Sequence, residues 1–123
     1  MRKIEGEQVL MRVFIGESDT IGGKPLYMAL LELFKGCGLA GATVLRGIAG
    51  YGAHSHIHSA HLLRLSQDLP VVLEVVDSQE HLDSVLPEVE KMMGDGLITM
   101  EKARVIRYGQ QIMSAKSETN PNS

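Results

Sequence analysis

Three histidines, His54, His56 and His58, alternate with other residues, and His61 follows close behind. In an extended segment residues two apart share a face, so the three imidazoles would point the same way. Neutral imidazoles at that spacing can share a zinc or copper ion. The same run in a polar loop can instead supply one structural or ligand hydrogen bond, from His58, or respond to pH near neutrality. Just ahead lie Arg46 and Gly50-Tyr51-Gly52. An arginine makes forked bonds to phosphate oxygens, and it pairs equally well with a carboxylate across an interface. The glycine pair is too short for a P-loop and lacks its lysine, so it reads as a hinge or as a ligand cradle. Glu17 and Asp19 could meet a ribose hydroxyl or a cation, or simply face solvent. Gly94-Asp95-Gly96 has the composition of a tight turn. No Ser-His-Asp order with supporting context, H-E-x-x-H or nucleophile elbow is present, and no enzyme is expected.

The elements that must position these residues follow from periodicity. Val9 to Ile15 alternates as a strand, with Met11, Val13 and Ile15 on one side and Leu10, Arg12 and Phe14 on the other. Pro25 opens a helix whose stripe is Leu26, Ala29, Leu30, Leu33, Phe34 and Cys37, with Gly36 and Gly38 ending it. Cys37 is expected as a packed thiol. Ala42 to Ile48 and Pro70 to Val76 are the second and third strands. Asp77 or Ser78 caps a second helix, and Asp77 with Glu80 has capping-box spacing. Pro87 either kinks this helix or follows a restart capped by Ser84. A last strand runs from about Leu97 to Tyr108.

The order β-α-β-β-α-β is that of a ferredoxin-like split βαβ fold in the α+β class: an antiparallel four-stranded sheet with two helices on one face. Residues 1–8 are expected as a flexible N-terminus, 9–109 as the domain and 110–123 as a disordered tail. The third strand is apolar on both sides, and Leu10 and Phe14 add to the face the helices do not cover. No segment is left to cover it, so self-association is expected.

At 123 residues the chain is the size of one domain, and 44% hydrophobic residues suffice for a core. The net charge of -3, with scattered Lys and Arg and no Trp, argues against nucleic acid as a partner. No apolar run of about 18 residues or secretory h-region occurs, so membrane insertion is not expected. The lone Cys37 fits a reducing cytoplasm.

Several of these motifs together resemble the PII (GlnB-like) signalling proteins, and most closely the PII-like branch known as domain of unknown function 190. The likeness rests on Gly23-Lys24-Pro25-Leu26, Gly41-Ala42-Thr43-Val44, Arg46 to Gly52, His58, Leu65 to Val72, Gly94-Asp95-Gly96 and Val105 to Gly109. It implies a trimer that holds an adenine nucleotide between subunits and regulates a partner, such as a membrane transporter or channel, through the loop joining the second and third strands. By position it implies that Thr43 lies beside the base and that Gly94, Asp95 and Gly96 offer backbone groups to the ligand. It also implies that Arg107 pairs with phosphate, with Arg46, Gly50 and Gly52 at the loop entry. Leu97 and Val105 stand where PII proteins carry a lysine and a second arginine, which favours AMP or ADP over ATP. A divalent-metal trimer using the histidine run, and an adaptor without a small ligand, are the other readings.

Overall fold

The computed structural model describes residues 4–51, 58–59 and 68–109. In chain order the elements are β1 (Gly6–Gly16), β2 (Thr20–Ile21), β3 (Lys24–Pro25), α1 (Leu26–Gly36), β4 (Ala42–Arg46), β5 (Ala49–Gly50), β6 (His58–Ser59), β7 (Pro70–Asp77), α2 (Gln79–Met92) and β8 (Leu97–Val105). The four long strands form one antiparallel sheet in the order β4-β7-β1-β8. This is the expected ferredoxin-like topology.

Alternation in β1 and β7 decides which face is dry. Met11, Val13, Val71, Leu73 and Val75 are almost fully buried against Leu26, Leu30 and Phe34 of α1 and Leu82, Val85 and Val89 of α2. A one-residue slip of either strand would turn this set outward, so burial sets the register. The pairing Met11↔Val75 and Val13↔Leu73 is the result.

Helix ends show where local signals compete with tertiary ones. Pro25 sits at the N-cap of α1 without a side-chain cap, and the first helical amide, Leu26 N–H, donates to the Asp19 carbonyl instead. At the other end Gly38, at φ 77°, donates to Lys35 while Leu39 donates to Phe34. That pair of bonds is a Schellman motif, which needs a left-handed residue at Gly38. The turn leaves Cys37 exposed, so the expected packed thiol is corrected. Ser78, and not Asp77, caps α2 by accepting from His81 N–H. Helix α2 runs unbroken through Pro87, and the Ser84 hydroxyl donates to the His81 carbonyl rather than capping a restart.

Strand ends shift by more than one residue in three places. β1 begins at Gly6 instead of Val9, and Ile4 is already buried, so residues 4–8 are tied to the fold. β4 stops at Arg46, where Gly47 N–H bonds to the Pro70 carbonyl. β8 stops at Val105, and the chain then leaves the ladder.

Candidate functional site

The sheet face turned away from the helices is banded, and this decides where a ligand can sit. Register places Leu45, Val72, Phe14 and Leu97 in one row across all four strands. The next row is polar: Thr43, Glu74, Arg12 and Thr99. In that row Arg12 Nε lies 2.9 Å from Glu74 Oε2, and its Nη1 lies 3.1 Å from Glu101 Oε1. The Glu74 hydrogen bond raises the Arg12 pKa above its ordinary value, with burial pulling the other way. The guanidinium is therefore a fixed charge, and Glu74 is committed to it.

Beyond the polar row the face dips into an open cavity of about 340 Å³. Its apolar wall is Ile4, Leu10, Val76 and Val105, and its polar groups are Thr43, Glu74, Arg107 and Tyr108. The volume lies at the small end of the range for small-molecule sites. After Val105 the chain crosses this end of the sheet, and the Tyr108 hydroxyl donates to the Ala40 carbonyl. The expectation that no segment covers this face is thus corrected at one end, where Arg107 and Tyr108 line the pocket together with Leu10 and Val76. Leu45 and Leu97, 47% and 54% exposed, remain open at the other end.

The receiving carbonyl is on a firm mount. Ala40 N–H donates to Oδ2 of Asp77, a fully buried carboxylate whose Oδ1 accepts from Ser78 N–H. His81 Nε2 donates to the Cys37 carbonyl at 2.9 Å, and its Nδ1 lies 3.3 Å from Asp77 Oδ1. The connection from α1 to β4 is therefore held by side chains of the β7–α2 junction.

The expected ligand residues divide between the two ends of the sheet. Thr43 and Arg107 line the cavity together. Arg107 makes no hydrogen bond or ion pair among the described residues, so the cavity has one charge without a partner. Arg46 and Gly50 lie at the far end on the β4 side, and Gly94-Asp95-Gly96 at that same end on the β8 side. Two strands separate those edges, about 14 Å at three strand spacings. Arg46 bonds to Glu17, Nη2 to Oε2 at 2.7 Å, and Asp19 Oδ2 accepts from Gly16 N–H. These contacts satisfy both loop carboxylates within the chain. Gly50 is held close to Pro70, where a Cβ would come within 2.9 Å of the proline ring. Gly96 lies against the Phe14 carbonyl, 2.7 Å from where its own Cβ would be. Gly94 meets no such neighbour.

Gly52, His54 and His56 fall outside the described residues, and His58 enters only through its backbone pairing with Gly50. Among the described residues no group of three His, Cys, Asp or Glu side chains could hold a metal. Sequence reasoning missed Tyr108, which it placed inside a strand, and Glu74, Leu10 and Val76. The alternation of Leu10, Val76 and Glu74 away from the core did mark their face.

The sequence pattern of DUF190, described as an uncharacterised ACR family, matches residues 8–105. A UPF0166 protein of Aquifex aeolicus is 45% identical over 97 residues, covering 79% of this chain and 91% of that protein. A UPF0166 protein of Methanocaldococcus jannaschii is 33% identical over 99 residues, covering 80% and 91%. Among solved structures, CPII from Thiomonas intermedia, a nitrogen regulatory PII-like protein bound to ADP, AMP and bicarbonate, covers 82% of this chain and 90% of its own, with a TM-score of 0.57 at 17% identity. The same protein bound to ADP, AMP and acetate gives a TM-score of 0.61 at 12% identity, covering 83% and 91%. At such identities the likeness establishes the PII-like fold.

Proposed function

The chain belongs to the DUF190 family, and we propose that it is a PII-like sensor that binds an adenine nucleotide, AMP or ADP in preference to ATP, between the subunits of a homotrimer. The observation that carries this reading is Arg107, an arginine without a partner among the described residues, at a cavity whose wall is largely aliphatic, beside Thr43 and Tyr108 and with its one carboxylate, Glu74, already paired with Arg12. A ligand that suits it has a flat, weakly polar body for the aliphatic wall and an anionic end for the guanidinium. A nucleotide has both. That CPII binds ADP and AMP supports the choice.

A shared site accounts for the division of the ligand residues. Loop-entry groups on the β4 edge and the Gly94–Gly96 turn beyond the β8 edge cannot meet within one sheet. They meet if the β4 edge of one copy lies beside the β8 edge of the next, a head-to-tail contact that closes into a ring. Val105 lines the cavity and Leu97 opens β8, and neither brings charge for additional phosphates. The loop that starts at Gly47 would then report occupancy to a partner, a transporter or channel in this reading. Reporting requires the ligand to bind the two loop states with different affinity. The protein acts in the cytoplasm in this view, as a regulator and not an enzyme. No described helix is long and apolar enough to cross a membrane.

Thermal unfolding with AMP, ADP, ATP, zinc, copper and EDTA tests the proposal. A ligand at 100 times its Kd adds about 2.7 kcal/mol of stability, a shift of several degrees for a domain of this size. ADP and AMP should each raise Tm, and Arg107→Ala should abolish the rise. Stabilisation by zinc or copper alone would put the histidine run in its place. Silence from every ligand would leave a protein adaptor.

A further inference from the structure

Tyr108 ties together two segments 68 residues apart and from opposite edges of the sheet. β8 is one edge strand, and Ala40 lies just before β4, the other. Residues 106–108 start across the sheet and the Tyr108 side chain completes the reach to the other edge, with Arg107 and Tyr108 lining the cavity and Ile106 outward at 77% exposure. Among the described residues this crossing makes no backbone–backbone hydrogen bond, and the Tyr108 hydroxyl is its single polar anchor. The other half of the contact is immobile, because Ala40 is held through its own N–H by the buried Asp77.

We propose that residues 106–108 are a strap over the cavity and that Tyr108 is its latch, so the bond to Ala40 sets how fast nucleotide enters and leaves. The inference rests on the functional reading above and adds the control of access to that site. The tyrosine ring closes one wall while the hydroxyl locks the strap to the opposite edge. A phosphate on Arg107 holds the same strap down one residue away, so occupancy and closure reinforce each other. A single net hydrogen bond of this kind shifts an open–closed equilibrium by about fivefold.

The test is stopped-flow release of a fluorescent N-methylanthraniloyl ADP from the full chain, comparing wild type with Tyr108→Phe. Phenylalanine keeps the wall and removes only the latch. Release should accelerate by roughly two- to tenfold. Wild-type binding with unchanged release in Tyr108→Phe overturns the latch and leaves the nucleotide reading standing. A wild type that ignores AMP and ADP in the thermal experiment overturns the nucleotide reading and the gating with it.

Discussion

At the scale of single residues, Gly94 and Gly96 look alike in the sequence and differ in the fold. Gly96 takes φ 156°, and an added Cβ would meet the Phe14 carbonyl at 2.7 Å and the Met93 methyl at 2.4 Å. Backbone does not yield as a side-chain tip does, so Gly96→Ala must displace β1 or the turn. We expect a loss of about 2 kcal/mol in urea unfolding, within the usual range for backbone strain. Gly94→Ala meets open space and should stay within about 0.5 kcal/mol of wild type. Equal midpoints for the two variants would overturn this account. The sequence marked the turn but could not rank its glycines, because the obstacle is a carbonyl about 80 residues earlier. Tyr108 was hidden for the same reason. Its partner is a main-chain oxygen, which carries no side-chain signature.

At the scale of elements, order and facing were legible and ends were less so. Alternation in Val9 to Ile15 and in Pro70 to Val76, with three-and-four spacing in both helices, specified which faces meet, since burial rewards those periods directly. The stripe of α1 ran one residue too far, to Cys37, because the Schellman turn at Gly38 swings the cap outward. Asp77 was read as a possible helix cap, yet its carboxylate is fully buried and accepts from both Ala40 N–H and Ser78 N–H. It joins the end of β7, the start of α2 and the α1–β4 connection. Asp77→Ala would strip two amides of their acceptor, and each buried donor left unpaired costs about 1–3 kcal/mol. A loss of at least about 2 kcal/mol is expected, with faster amide exchange at Ala40. Asp77→Asn, which keeps one carbonyl oxygen, should lose less. An Asp77→Ala protein with a wild-type midpoint would mean that water replaces the carboxylate and that the junction is not what holds Ala40.

At the scale of the whole molecule, the open face poses a problem that the described residues of a single chain do not solve. Arg107 and Tyr108 flank its cavity end, but Leu45, Val72, Phe14 and Leu97 stay in a continuous apolar row at the other. Between them Arg12 is paired with Glu74 and Glu101, side chains 31% to 61% exposed in the isolated chain. Exposed pairs of this sort contribute little to stability, so the triad is better suited to fixing how copies align than to holding one copy folded. The proposed trimer would bury the row and bring the β4 and β8 edges of neighbouring copies together. Leu97→Glu sets a charge into that row at a position 54% exposed in the monomer, where it disturbs little of the core. Sedimentation velocity at micromolar concentration should show a trimer for wild type and a shift to monomer for Leu97→Glu. Nucleotide stabilisation should vanish in the same variant although its Arg107 is intact, because a site built from two edges cannot survive their separation. A monomeric wild type would remove the shared site. A Leu97→Glu monomer that still binds ADP would place the whole site inside one chain.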